Sequence, residues 1–404
     1  MRFSSRGLRR GLTVAALAAV VSPLLSLPAT AQPGGTVHGA DSPDAVPGRY
    51  IVTFKDGTSA PDTAAALVRR HGGGLRHTFG AVIQGFSASL TEAQARAVAA
   101  NPAVARVQQA QYVRALDTQT NPPNWGVDRI DQRALPLDGS FTYPANPGRG
   151  VRVYVLDSGI NAGHAEFTGR VAPGRDLVDN DSSPTDCHGH GTHVAGTAVG
   201  ARFGVAKKAT VSAVRVLDCR GNGADDDIIA GIEWVRANAV KPAVVNYSIG
   251  CRSRCSSPAI DTAVKNLVGS GVQFVQAAGN SGDDACHYSP QYVTAAITVG
   301  NSTRNDQRHS GTGPSNYGSC LDIWAPGTGI VSASYSSSTG AATMTGTSMA
   351  SPHVAGAAAL YLSRYPSATP AQVRNALVDN SSTGRLTGIG STSPNALLNT
   401  GFLN

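Results

Sequence analysis

The chain has 404 residues, 41% hydrophobic and 15% charged, too long for one average domain and too apolar for a disordered chain. Its formal charge of +7 sits at the front: residues 1–31 carry +4, residues 32–116 carry +3, and residues 117–404 balance 21 basic against 21 acidic side chains. That distribution excludes a general nucleic-acid footprint, so no nucleic-acid partner is expected.

Residues 1–31 read as an export signal. Arg2, Arg6, Arg9 and Arg10 lead into an apolar run over 12–27, and Ala29-Thr30-Ala31 supplies an A-x-A cleavage site. Thr13, Ser22 and Pro23 interrupt that run, which falls short of the roughly 20 clean apolar residues of a membrane span. No later segment is long and apolar enough either. A secreted, extracellular protein with no membrane partner is expected. All six cysteines lie beyond residue 186, and an even count in an exported chain favours disulfides. The competing zinc reading lacks any C-x-x-C pair.

Residues 32–45, rich in Gly, Pro, Ser and Asp, read as a linker. A compact unit follows. Residues 49–55 alternate as a strand, 64–71 read as a helix, and two strands fall in 79–90. Thr91-Glu92-Ala93-Gln94 is a capping-box pattern opening a second helix, and 103–108 supply a last strand. A β-α-β-β-α-β order in about 70 residues is the ferredoxin-like α+β motif, which alone describes a small binding module.

From Val151 the texture changes. Short apolar runs at 151–156, 211–216, 243–247, 272–277 and 296–299 alternate with helical stretches at 190–199, 227–239, 259–269 and 351–364. This pattern predicts an α/β unit with a mostly parallel sheet flanked by helices. Active groups in such sheets sit beyond the strands' carboxyl ends, where Asp157 falls. No internal repeat is evident.

Three segments carry chemistry, in the order Asp157-Ser158-Gly159, His188-Gly189-His190-Gly191-Thr192-His193 and Gly346-Thr347-Ser348-Met349-Ala350-Ser351-Pro352. A serine hydroxyl needs a base; imidazole serves near neutral pH, and a carboxylate fixes its tautomer. Glycines beside His190 permit close backbone approach. Ser348 starts a helical stretch, whose free N–H groups favour a developing oxyanion. Pro352 lacks a donor, leaving the Ser348 carbonyl without its helical partner. Each piece has a bland alternative: a turn Asp, a histidine metal cluster, a plain N-cap Ser. The order Asp, His, Ser is that of subtilisin.

These three segments resemble the active-site signatures of the subtilisin family. Gly204-Val205-Ala206-Lys207-Lys208, Ala277-Ala278-Gly279-Asn280 and Ser315-Asn316-Tyr317-Gly318 are similar to its proteinase K-like, aqualysin-like branch. The likeness covers residues 120–404 and implies a serine endopeptidase of broad preference, acting through Asp157, His190 and Ser348 and an acyl-enzyme. By the same resemblance, residues 47–116 look like the family's inhibitory, chaperone-like propeptide.

The resemblance implies further roles. Asn280 would donate to the oxyanion together with the Ser348 N–H. Ser248, Ile249, Gly250 and Gly221, Asn222, Gly223 would be two backbone edges pairing with an extended substrate. Ala277, Ala278 and Gly279 would line the pocket for the side chain before the cut. Structural calcium would be held by Asp322 with carbonyls of Thr294 and Ala296, and by Asp128, Asp131, Gln132, Asp138 and Ser140; Asp179 and Asp181 suggest a third set. No catalytic metal is expected, and His188 and His193 are read as a local polar contact and a packed helix residue. Disulfides Cys187–Cys219 and Cys286–Cys320 are implied, leaving Cys251–Cys255 as a local pair.

The implied organisation is a signal peptide at 1–31, a propeptide at 32–116 with its inhibitor-like domain at about 47–116, and a catalytic domain at 117–404, with self-processing near Leu116–Asp117. The expected partners are protein or peptide substrates and the chain's own propeptide as intramolecular inhibitor, and the enzyme is expected as a monomer. A silent binding protein on the same fold would have lost a triad member, and none is lost. Two departures stand out: Ser310-Gly311-Thr312-Gly313-Pro314 looks inserted, and Cys251-Arg252-Ser253-Arg254-Cys255 replaces the usual glycines after Gly250. Asp225, Asp226 and Asp227 precede a helix read from Ile228, with Asp227 as its cap and Asp225 facing a subsite that would favour Arg or Lys.

Overall fold

The computed structural model describes residues 34–42, 44–113, 116–390 and 392–404, so the expected signal peptide lies outside the described residues. The chain divides into two compact units, 1–113 and 114–404.

The first unit contains β1 (Val37–His38), β2 (Ala45–Phe54), α1 (Ala60–His71), β3 (Gly74–Phe79), β4 (Gly85–Ser89), α2 (Glu92–Ala99) and β5 (Val104–Gln111). Its sheet has the order β1-β5-β2-β4-β3. The alternating residues Tyr50, Val52 and Phe54 turn one face of β2 onto Leu67, Phe86, Val98 and Val107. The capping box forms: Thr91 Oγ1 accepts from Gln94 N–H, and Gln94 Oε1 accepts from Thr91 N–H at 2.8 Å. The short β1 lies within the stretch read as a linker and pairs in parallel with β5.

The second unit begins with β6 (Leu116–Thr120), α3 (Trp125–Asp131), β7 (Ser140–Pro144), β8 (Arg152–Asp157), β9 (Arg175–Asp176), α4 (His190–Val199), β10 (Thr210–Arg215), α5 (Asp225–Asn238), β11 (Ala243–Tyr247) and α6 (Pro258–Gly269). It continues with β12 (Gln273–Ala277), β13 (Ile297–Ser302), β14 (Ile323–Pro326), β15 (Ile330–Ala333), β16 (Ala341–Met344), α7 (Thr347–Arg364), α8 (Pro370–Asp379), β17 (Ser382–Thr383) and β18 (Ala396–Leu397). The main sheet runs β17-β18-β14-β13-β12-β11-β8-β10-β9, with every neighbour parallel except the β17–β18 pair.

Both faces of this sheet are covered, which is why its strands read as unbroken apolar runs. Along β8, Val153 and Val155 enter the cluster that includes Val194 and Ala198 of α4 and Val354 and Ala358 of α7. Tyr154 and Leu156 enter the opposite cluster, with Ile232 and Val235 of α5 and Val264 and Leu267 of α6. The fold is the expected α/β arrangement, with Asp157 as the last residue of β8.

α7 begins at Thr347, one residue before the Ser348 start read from the sequence and ahead of the 351–364 stretch, and carries Pro352 inside it. α5 begins at Asp225 with Ala224 at its N-cap, so all three aspartates occupy the first turn, where carboxylates favour the positive dipole end.

Candidate active site

Asp157 is fully buried, and His190 opens α4. Their contact is close: His190 Nδ1 lies 2.8 Å from Asp157 Oδ1 and 2.9 Å from Oδ2. An ionised carboxylate only accepts, so Nδ1 carries the proton and Nε2 keeps its lone pair. Burial is the largest single influence on His190 and pulls its pKa down. The charge and hydrogen bond of Asp157, with the charge of Asp186, outweigh it and hold the imidazole above its usual value.

The flanking glycines permit this approach. Gly189 sits at φ 105°, a region costly for other residues. A Cβ on Gly191 would lie 2.2 Å from the Gly159 carbonyl oxygen, so α4 could not reach the end of β8 with any side chain there.

Ser348 is the second residue of α7, and its N–H is among the first four that lack an intrahelical acceptor. The Ser348 carbonyl, denied a donor by Pro352, accepts from Ser248 Oγ at 2.9 Å. In return Ser348 Oγ donates to the Ser248 carbonyl at 3.1 Å. Ser248 Oγ itself accepts from Asn246 Nδ2, and Asn246 Oδ1 accepts from Ser351 Oγ, both at 2.9 Å. Asn246 and Ser351 are fully buried, so this network ties the end of β11 to the first turns of α7.

Asn280 is oriented by its neighbour. Its Oδ1 accepts from the N–H of Thr347 at 2.8 Å and from Thr347 Oγ1 at 3.0 Å. A backbone N–H can only donate, so the amide oxygen must face Thr347 and Nδ2 points away from it. Asn280 and Ser348 line one cleft of about 320 Å³, with Ser248, Gly250, Ala277 and Gly279 among its walls.

Ala278 differs from the expectation: it is fully buried and packs with Leu321 and Trp324, because side chains alternate across an extended segment. On the other edge, Asn222 N–H donates to Asp218 Oδ1 at 2.9 Å, so its main-chain donor is committed within the Asp218–Asn222 turn. Asp225 Oδ2 accepts from Ser257 Oγ at 2.8 Å.

The three histidines read as a possible metal cluster do not form one; among the described residues no His, Cys, Asp or Glu trio is placed to hold a metal. His193 is buried, its Nε2 lies 3.0 Å from the Ile330 carbonyl, and burial pushes its pKa down to about 4. His188 is exposed, and its ring stands 6.3 Å from that of His190. Disulfides join Cys187 to Cys219, Cys251 to Cys255 and Cys286 to Cys320.

The two oxygen-rich sets differ in what they offer a cation. Asp322 Oδ2 accepts from Thr298 N–H at 2.8 Å and its Oδ1 is held by Arg374, so both oxygens are engaged. Thr294 is exposed and Ala296 buried beside it. In the other set, Asp128 Oδ1 and Asp131 Oδ1 are buried with no hydrogen-bond partner. Asp138 Oδ1 accepts from Ser140 N–H and Oγ, and Gln132 Oε1 accepts from Asp138 N–H. The pKa of Asp131 is raised to about 7, chiefly by burial; a bond from Thr142 N–H pulls it down, and the charges of Asp138 and Asp128 push it up. Asp179 of the suggested third set pairs with Arg215 at 2.5 Å.

Asp186 escaped the sequence reading. Its Oδ1 accepts from Ser158 Oγ and from the N–H groups of His188 and Gly189, and its Oδ2 accepts from the N–H and Oγ1 of Thr192. It thus anchors the first turn of the helix that presents His190. An acidic residue just ahead of a helix start was the available signal.

Residues 148–399 match the Subtilase family, and residues 49–116 match the Peptidase inhibitor I9 family. The extracellular serine proteinase of Thermus sp. (strain Rt41A) is 46% identical over 396 residues, covering 93% of this chain and 95% of that protein. The alkaline serine exoprotease A of Vibrio alginolyticus is 45% identical over 361 residues, covering 85% of this chain and 66% of that protein. The crystal structure of a cold adapted subtilisin-like serine proteinase, 47% identical, superimposes with a TM-score of 0.65 over 68% of this chain and 97% of that one. With a parallel sheet that delivers Asp157 to His190 and an I9 segment ahead of it, the chain belongs to the subtilase family of serine endopeptidases.

Proposed function

We propose that the chain is an exported zymogen whose second unit hydrolyses peptide bonds with broad preference through Asp157, His190 and Ser348. The observation that carries this reading is the grip of buried Asp157 on His190 Nδ1, which leaves Nε2 as the proton acceptor. Ser348 Oγ gives its proton to Nε2 as it bonds to the substrate carbonyl carbon. The oxygen, now negative, is met by Asn280 Nδ2 and the Ser348 N–H. Collapse breaks the C–N bond, and His190 returns the proton to the leaving amine. Water then repeats the sequence to free the acid and restore Ser348.

Residues 1–31 serve as signal peptide, and residues 32–116 as a propeptide that inhibits its own enzyme until it is cut off near Leu116–Asp117. The mature chain would begin inside β6, whose residues from Asp117 to Thr120 stay paired with Tyr143 to Ser140 of β7. Structural calcium is proposed at the set of Asp128, Asp131, Gln132, Asp138 and Ser140, whose three carboxylates are not gathered as a ready-made site but whose orphaned buried oxygens on Asp128 and Asp131 a divalent cation would engage. The Asp322 set fits less well, because a cation there must displace Arg374.

A fluorophosphonate should label the processed protein once, at Ser348, located by mass spectrometry, and a zinc chelator should leave activity unchanged. Ser348→Ala should accumulate a precursor beginning after Ala31. A label elsewhere, or a mature N-terminus arising in that variant with no other protease present, would refute the reading.

A further inference from the structure

Immediately after the substrate edge Ser248–Gly250, the Cys251–Cys255 disulfide closes a small ring that carries two arginines. Arg254 is neutralised there, with Nε and Nη2 donating to Asp283 at 2.7 and 2.8 Å. Arg252 is exposed and has no ion-pair partner among the described residues. Its Nη2 donates to Asn222 Oδ1 at 3.4 Å, across to the opposite substrate edge, while its carbonyl accepts from Ser281 Oγ at 3.5 Å. Among the described residues lining the cleft that holds Ser348 and Asn280, Arg252 alone is charged. On the opposite edge Asp218 pairs with Arg220 at 3.7 Å, and Asp225 Oδ2 accepts from Ser257 Oγ.

We propose that Arg252 is a specificity-determining residue that favours substrates with a carboxylate side chain among the residues preceding the scissile bond. The proposal rests on the serine-endopeptidase reading above. An extended peptide threaded between the two edges must pass a guanidinium that spans them, and a Glu or Asp side chain there gains a charge-assisted hydrogen bond. The ring limits how far the Arg252 backbone can move, and the contact to Asn222 points its guanidinium toward the opposite edge. Because the group is exposed, the expected preference is about 1.5- to 5-fold at low salt, fading as salt rises.

The test compares kcat/KM of the processed enzyme on peptides differing only in Glu or Gln, with each position before the cut tried in turn. The Glu peptide should lead by about 1.5- to 5-fold at one position. That ratio should fall to about one in Arg252→Gln, and Arg252→Glu should turn the preference toward Lys over norleucine. A ratio of one or below at every position overturns the proposal, as does a ratio unchanged in Arg252→Gln. A wild-type preference for Lys overturns it as well and hands the subsite to Asp225. Hydrolysis of the Gln peptides by the processed enzyme, abolished once a fluorophosphonate has labelled Ser348, checks the underlying reading separately. Without it both readings fall; with it and no Glu preference, only the role of Arg252 falls.

Discussion

Ser248 and Ser348 hold each other through two hydrogen bonds, each hydroxyl donating to the other's carbonyl, at 2.9 and 3.1 Å. Pro352 makes the first of these possible by leaving the Ser348 carbonyl without a helical donor. The second means that Ser348 Oγ must turn from Ser248 to reach an acceptor at His190.

Ser248→Ala should therefore strand the buried Asn246 Nδ2 and the partly buried Ser348 carbonyl, and destabilise the second unit by about 1–3 kcal/mol. Calorimetry on a Ser348→Ala background, where self-digestion is blocked, measures this. An unchanged melting temperature would show that the serine pair adds nothing to stability.

Replacing Asn280 by Ala should lower kcat by about 10²–10³-fold, with a smaller effect on KM, since its Nδ2 meets charge that exists only after attack. Thr347 also loses an acceptor for its N–H, so a modest drop in melting temperature should accompany the kinetic loss. A variant that keeps wild-type kcat would remove Asn280 from the mechanism.

Protonated His190 cannot take the proton of Ser348. Its folded pKa is held up by Asp157 and Asp186 against burial, so kcat/KM should fall as pH drops through a value above about 6.5. Asp186→Asn removes one of the supporting charges and should move that acid limb to lower pH. A wild-type limb at or below 6.5 would contradict the assignment.

Calcium bound only by the folded form should raise the melting temperature of phosphonate-blocked enzyme, by about 2.7 kcal/mol of stability at 100-fold excess over Kd. Asp131→Asn should abolish most of the difference between millimolar calcium and chelator. A shift that survives in Asp131→Asn but vanishes in Asp322→Asn would move the ion to the Asp322 set. No shift at all rejects both.

Much of this was legible in the sequence because local rules and tertiary needs coincide. The β8, β10 and β11 runs are apolar on both faces, and α4 starts and ends where the sequence placed it. The misses have physical causes. α5 starts earlier than read because three carboxylates in a first turn suit the dipole without any one of them serving as a side-chain cap. β14 was overlooked because four residues ending in Pro326 leave too little alternation to register. The hairpin of β15 and β16 was missed as well. Ala278 could not be told from Ala277 and Gly279 without knowing which way each faces. Asp186 has the composition of an ordinary turn residue, and only the five donors converging on it reveal its role.

The order β11-β8-β10 has a consequence for how the enzyme reads its substrate. Strand β8 stops at Asp157, while the chain beyond β11 and β10 runs on into Ser248–Gly250 and Gly221–Gly223. Two strands that share a neighbour stand roughly 9.5 Å apart, twice the spacing of paired strands. Past the end of β8, a gap of that width would admit one extended backbone. A peptide would thus be accepted first as a missing strand, by amide groups that every sequence possesses, and only afterwards by its side chains.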